Sequence, residues 1–164
     1  MTVDKNLKLR HVLCPGDLGR IVALHGELYA QEYGFGLQFE AYAAETLAEF
    51  GKSDRTERDR LWVAEIDGRL VGSIGIIGRE GNAAQLRCLL IAPEARGIGL
   101  GRRLLDAALG FCREAGYDSV FLWTVQDLPA AAHLYASAGF VRTDELPPAD
   151  WGVAVIEERY ELRL

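Results

Sequence analysis

The sequence predicts an α/β fold organised on a mixed central sheet, and three stretches carry that expectation. The first is Gln85 to Leu105, QLRCLLIAPEARGIGLGRRLL, an apolar strand that runs through Pro93 into a loop with Gly97, Gly99 and Gly101 and then directly into a helix. The second is the pair LWVAEI and RLVGSIGII, joined by Asp67-Gly68, which supplies the positive φ angles of a two-residue hairpin turn. The third is SVFLWTV, Ser119–Val125, a buried strand that returns after one helix. Strand, helix, strand at this spacing makes a right-handed crossover with the two strands parallel.

The remaining elements follow in chain order. Residues 7–13 alternate as an opening strand, stopped by Pro15-Gly16, and Asp17 caps a helix over 18–33 in which Ile21, Val22, Leu24 and Leu28 recur at helical spacing. Gly34 to Gly36 break that pattern, and a second helix covers 39–50. Residues 51–60, GKSDRTERDR, read as a solvated charged loop before the hairpin. A turn at 80–82 leads into the strand of the glycine loop, so three antiparallel strands precede that loop. Leu100, Leu104, Leu105, Ala108, Phe111 and Cys112 form one apolar stripe of an amphipathic helix over 99–115, ended by Gly116. Asp127 and Pro129 open a short helix over 129–138; Gly139 stops it and Phe140 opens the next strand. At the C-terminus Arg159, Glu161 and Arg163 alternate with Tyr160, Leu162 and Leu164, a half-buried strand.

Composition excludes several classes. At 164 residues, 49% hydrophobic and 26% charged, the chain suits one globular domain over residues 1–164. No apolar run approaches the ~20 residues that span a bilayer, and MTVDKNLKLRH lacks the apolar core of a signal peptide, so cytoplasmic residence is the default expectation. Cys14, Cys88 and Cys112 are widely spaced without a CxxC, which points to neither a disulfide framework nor a metal site. A net charge of −6 argues against non-specific binding of nucleic acid. On so acidic a chain, Arg96, Arg102 and Arg103 form a local positive patch.

That patch sits on a junction suited to phosphate. Glycines let backbone N–H groups approach an anion, and a first helical turn adds unpaired donors and the positive end of the helix dipole. Arginines at a helix N-terminus are unfavourable unless an anion offsets them, so the loop calls for a polyanionic ligand. The dinucleotide pattern G-x-G-x-x-G fails because Arg102 stands where its third glycine belongs, and no Lys-Ser or Lys-Thr follows to make a P-loop. Arg96-Gly97-Ile98-Gly99-Leu100-Gly101 fits the [QR]-x-x-G-x-[GA] signature instead. With the strand LRCLLIAP before it and LYASAGF after it, the chain resembles the GNAT N-acetyltransferases, best over residues 85–140.

The resemblance implies the order β-α-α-β-β-β-α-β-α-β-β, a mixed and mostly antiparallel sheet of about seven strands with about four helices. It implies acetyl-CoA as co-substrate and direct attack of a primary amine through a tetrahedral intermediate. Backbone groups of Leu89, Leu90 and Ile91 would pair with the pantetheine arm, and the amide of Ile91 would stabilise the oxyanion. Arg96, Gly97, Ile98, Gly99, Leu100, Gly101 and Arg102 would hold the pyrophosphate. Tyr135, in LYASAGF, would protonate the leaving thiolate; Ala131, Leu134 and Ala138 flank it as they would a core aromatic, but the whole motif favours the catalytic role. A base is also required, because an amine of lysine-like pKa is neutral in only about one molecule in 2500 at pH 7.

Two positions depart from the family pattern. Leu128 stands where many members carry asparagine, and Gln85 where some carry a glutamate base. Glu27, Glu32, Glu94, His25 or a chain of waters would then serve as base. His25, Glu27, Tyr29, Glu32, Tyr33 and Phe35 read either as an acceptor pocket for a cationic amine or as an ordinary amphipathic helix pair. HGELYAQEYGF and WGVAVIEERYEL are similar to the acetyltransferase half of bacterial MarR–GNAT fusions, of which this chain reads as a stand-alone relative, with a homodimer as the favoured assembly. Three activities stay open: N-acetyl transfer to a small-molecule, amino-acid or peptide amine; a non-catalytic acyl-CoA sensor or scaffold; and a nucleotide-binding fold of another type.

Overall fold

The computed structural model describes residues 6–164, and its elements are β1 (Leu7–Arg10), α1 (Asp17–Tyr33), α2 (Leu37–Lys52), β2 (Arg60–Ile66), β3 (Arg69–Arg79), β4 (Ala83–Ile91), α3 (Leu100–Glu114), β5 (Ser119–Val125), α4 (Pro129–Ser137), β6 (Val141–Glu145), β7 (Ala149–Asp150), β8 (Ala154–Val155) and β9 (Glu157–Arg163). Seven strands form one sheet in the order β1-β2-β3-β4-β5-β9-β6, and β7 and β8 make a separate two-residue ribbon. Within the large sheet every pairing is antiparallel except β4 with β5, which is parallel as the crossover requires.

Strand alternation divides the core between the two faces of the sheet. Trp62, Ala64 and Ile76 face one way and pack with Leu104, Leu105, Ala108 and Cys112 of α3. Leu61, Val63 and Ile77 face the other way, against Ile21 of α1 and Leu47 and Phe50 of α2. A third cluster, Phe35, Phe39, Val125, Leu128 and Val155, ties the α1–α2 junction to the end of β5 and to the C-terminal ribbon.

The hairpin at Asp67-Gly68 forms as expected, with φ of 51° and 77°. Four local expectations need correction. The first strand ends at Arg10 rather than at residue 13, and α2 starts at Leu37, two residues early. The C-terminal ribbon has no counterpart in the expected order; two residues per strand are too few to leave an alternation pattern. Asp17 is not a helix cap: left-handed Gly16, φ 96°, occupies that place and no side chain caps the helix. Asp17 is instead buried, accepting the Cys14 N–H at 2.7 Å and both terminal nitrogens of Arg10 at 2.7 and 2.9 Å. Arg10 also reaches Glu65 at 2.7 Å, so this cluster ties β1, β2 and the start of α1 together.

The Arg10 guanidinium holds the Asp17 carboxyl below its usual range. A depressed folded pKa means that the stabilisation is complete above the unfolded value and is lost as pH falls through the folded one. Asp17→Asn, which removes one acceptor of a two-pronged charged contact, should destabilise the fold by about 1–3 kcal/mol at neutral pH. Denaturant melts should show that deficit shrinking below about pH 4; a deficit that does not depend on pH would assign it to packing alone.

Candidate active site

The site begins where β4 and β5 part. They pair only at Ala83, Ala84 and Gln85 with Ser119, Val120 and Phe121. Beyond Gln85, β4 carries a bulge: Gly75 opposes Arg87 while Ser73 opposes Leu90, so two residues, Cys88 and Leu89, face the single residue Ile74. Cys88 takes φ 59° there, and Ser73 Oγ donates to its carbonyl at 2.6 Å. After the bulge, the N–H of Ala92 donates to Val71 on β3 at 2.7 Å. Antiparallel alternation then turns Leu90 towards β3, and Leu89 and Ile91 turn their N–H and C=O groups to the open side. The carbonyl of Ile91 there accepts from Arg96 Nε at 3.2 Å. Of the three residues expected to offer backbone groups, Leu90 is committed to the sheet.

The loop continues from that edge. A short turn over Pro93–Ala95 uses the amides of Ala95 and Arg96, and α3 starts after Gly97 and Gly99, at φ 76° and 78°. Among the described residues, the six amides from Gly97 to Arg102 donate to no acceptor. No acidic residue stands in the first turn of α3, so this end of the helix keeps its full positive field. The Leu100 side chain is core, so its amide alone is offered. The arginine side chains are otherwise engaged: Arg96 with Glu32 at 2.8 Å, and Arg102 with Asp106 at 3.0 Å. Backbone N–H groups are thus the unshared donors of the loop itself, and Arg103 stands exposed beside them.

Two adjoining cavities lie in the wedge, sharing Tyr29, Leu89 and Leu128 as walls. The outer one, about 320 Å³, runs along Leu89 to Ile91 beneath Arg96, Glu32 and Tyr33 to the first turns of α4. The inner one, about 110 Å³, is lined by His25, Tyr42, Thr46, Arg87, Tyr135, Trp151 and Glu157, with apolar walls from Phe39, Val125 and Leu128.

Tyr135 is only 5% exposed, and its hydroxyl has no hydrogen-bond partner among the described residues. Burial, reinforced by Tyr29, pushes its pKa well above the ordinary phenol value, so it stays protonated. Burial likewise pushes Tyr29 up to about 12. His25 is buried; its Nδ1–H donates to the Ile21 carbonyl at 2.8 Å, which leaves Nε2 as an acceptor, and burial lowers its pKa. The Cys88 thiol is pushed up to about 12 by burial, which removes it as a thiolate nucleophile.

Glu157 opens β9 opposite Val125, and its carboxylate has neither hydrogen bond nor ion pair among the described residues. Burial raises its pKa, and Arg87 partly offsets that rise. This carboxylate reaches the cavity from a strand distant in sequence, whereas Gln85 accepts from Arg79 Nε at 2.8 Å. Arg87 Nη2 donates to Tyr42 Oη at 3.0 Å and to Thr46 Oγ1. Trp151 stacks on Tyr42 and touches Phe35 and Phe39. Its position comes from a clasp: the Trp151 carbonyl accepts the Gly36 N–H at 2.7 Å, and a Cβ on Gly152, φ 90°, would lie 2.7 Å from that same nitrogen.

The other expected residues divide. Glu32 and Tyr33 line the outer cavity. Phe35 is buried behind the cavity wall and lines neither space. Glu27 is not brought to the site; it lines a separate groove with Arg20, Glu65 and Arg69. Glu94 pairs with Arg69 at 2.7 Å, outside both cavities. Sequence reasoning missed Arg87, Glu157 and Trp151. The one available signal was that Glu157 extends the Arg159, Glu161, Arg163 alternation by one step. Among the described residues no cluster of three or more His, Cys, Asp or Glu is placed to hold a metal, and no helix is long and apolar enough to cross a membrane.

Comparison with known proteins meets this geometry. The acetyltransferase (GNAT) family pattern matches residues 24–140. An uncharacterised N-acetyltransferase of Schizosaccharomyces pombe is 29% identical over 146 residues, 88% of this chain and 88% of that protein. N-acetyltransferase 8 of Rattus norvegicus is 35% identical over 107 residues, 60% of this chain and 47% of its own, so the chain spans less than half of that relative. Spermidine N-acetyltransferase from Vibrio cholerae, solved with CoA and spermine, superimposes with a TM-score of 0.72 at 26% identity, covering 96% of this chain and 95% of its own. With most of its length matched and its sheet parting beside the glycine loop, the chain belongs to the acetyltransferase (GNAT) family.

Proposed function

We propose that residues 1–164 act as one acetyl-CoA-dependent N-acetyltransferase domain, acetylating a primary amine by direct attack. The observation that carries this reading is one continuous wedge in which six unshared loop amides, an open strand edge, a protonated tyrosine and an unpaired carboxylate follow one another. The residues fit the co-substrate. Amides 97–102 suit a pyrophosphate, and the outward groups of Leu89 and Ile91 suit the amides of a pantetheine arm. Acetyl-CoA supplies the acetyl group as an activated thioester.

The chain's own groups account for the proton movements. Glu157, its pKa raised by burial, takes a proton from the acceptor ammonium and frees the lone pair. The Ile91 N–H faces the carbonyl oxygen as negative charge develops. Tyr135 gives its proton to the departing thiolate and is restored by the second proton that the nitrogen sheds as the amide forms, while Glu157 returns its own to water. A buried tyrosine is a reluctant acid, but the same desolvation makes the thiolate more basic, as it does the Cys88 thiol in this cavity. A module that only senses acyl-CoA has no use for an unpaired Glu157 carboxylate and an unpartnered Tyr135 hydroxyl in the wall of the inner cavity. Membership of the acetyltransferase (GNAT) family supports the same activity.

Three variants test this. Tyr135→Phe should lower kcat by ~10²-fold or more while CoA affinity stays within a few-fold; unaltered turnover would remove Tyr135 as the acid. In the native protein, kcat/KM should fall as pH drops through a value above the ordinary ~4.3 of glutamate, because protonation disables the base. Glu157→Gln should abolish that acidic limb together with most of the rate, and persistence of the limb would pass the role to another group. Gly99→Val puts a branched side chain at φ 78°, a strain of about 1–2 kcal/mol, beside the unshared amides. It should weaken CoA binding at least tenfold by calorimetry, and unchanged affinity would displace the anion from this loop.

A further inference from the structure

The inner cavity holds one unpaired cation and one unpaired anion, and they are not paired with each other. Arg87 uses only Nη2, on Tyr42 and Thr46; among the described residues Nε and Nη1 donate to nothing and no carboxylate lies within ion-pair distance. Glu49, which feels the charge of Arg87, is taken at both oxygens by Arg79, at 2.7 and 2.9 Å. Glu157 is close enough for Arg87 to pull its pKa down, yet no ion pair forms between them. Both are held where they are: Arg87 by its two hydroxyl acceptors and the face of Tyr42, 5.3 Å from the ring centre, and Glu157 by the register of β9 on β5. Both line the inner cavity, and neither charge is sealed from solvent. That arrangement suits a ligand that carries both complementary charges.

Resting on the acetyltransferase reading above, we infer that the acceptor is a zwitterion, an α-amino acid or amino-acid conjugate with an apolar side group. Its carboxylate lies on Nη1 of Arg87, its ammonium faces Glu157, and its side group rests on Phe39, Tyr42 and Trp151. Nη1 of Arg87 offers a carboxylate a charged donor that no residue of the cavity shares. The same guanidinium disfavours a polyamine, whose second cation would be brought against it.

The test uses the full chain loaded with CoA or acetyl-CoA. Binding is read from the fluorescence of Trp123 and Trp151, both in the cavity wall, and transfer from thiol release. The acceptors are L-leucine and L-phenylalanine, each with its amide and its decarboxylated amine. The acids should bind and react roughly tenfold to hundredfold better than their amides and amines, the worth of a charge-assisted hydrogen-bonded contact. Arg87→Met should erase that difference through KM, and Arg87→Lys should restore part of it, with CoA affinity as the control for folding. Amides or amines that match the acids, a preference that survives in R87M, or acids that do not bind would each overturn the inference. Acids bound with this preference but releasing no thiol would keep the zwitterion site and overturn the transferase reading. Amines acetylated without preference for the acids would do the reverse.

Discussion

The parting of β4 from β5 after three paired residues is the constraint on which the rest of the site depends. A parallel pair that continued would use the N–H and C=O groups of Leu89 and Ile91 in its own ladder and leave no space between the strands. The bulge at Cys88 prevents this by re-aiming β4. A non-glycine residue at φ 59° costs of order 1–3 kcal/mol, and the Ser73 hydroxyl bonded to the Cys88 carbonyl offsets part of it. β5 is held on its other side by seven paired positions with β9, so it cannot follow β4. The same register brings Glu157 opposite Val125, at the mouth of the opening.

Electrostatics then grade the wedge from end to end. The chain is acidic overall, yet its loop presents six unshared amides at a helix start free of carboxylates. At the other end the inner cavity holds Glu157 and Arg87 with aromatic and apolar walls between. Arg96 spans the outer cavity from the loop side, held by Glu32 of α1 and the carbonyl of Ile91. A positive rim, an open strand edge and a mixed-charge end are the sequence of environments that a phosphate, an amide-bearing arm and a charged acceptor would each need.

What could be read in the sequence was whatever local chemistry encodes. Asp67-Gly68 makes its turn from its own dihedral preferences, and Gly97 and Gly99 take the left-handed conformation that their residue type allows. The stripe on α3 is a strong helical period, and its residues are buried as that period requires. Glu27 shows where such reading fails. His25, Tyr29 and Glu32 lie at helical spacings of four and three and share a face, but Glu27, two residues past His25, falls about 200° round the helix. It therefore faces Arg20 and Glu65. Arg87 and Trp151 left no local signal, and Glu157 only one step of an alternation, because distant pairings deliver them: a bulge, a ribbon too short to show a period and a strand register.

The ribbon also explains the departure at Leu128. Leu128 heads α4 without a side-chain cap and packs with Phe35, Phe39, Val125 and Val155, so the position serves the apolar cluster that seats the ribbon and the α1–α2 junction. An amide side chain there would have to bury its polar atoms among these residues, at a cost of about 1–3 kcal/mol for each group left unsatisfied. The cluster in turn supports Trp151, whose carbonyl holds the Gly36 amide and whose ring leans on Tyr42, the residue that orients Arg87. Leucine at this position is thus linked to the inner cavity through four packed aromatic rings rather than through the loop. The trade of a polar residue for an apolar one shifts its contribution from the arm-binding side of the wedge to the acceptor side, where the unpaired charges stand.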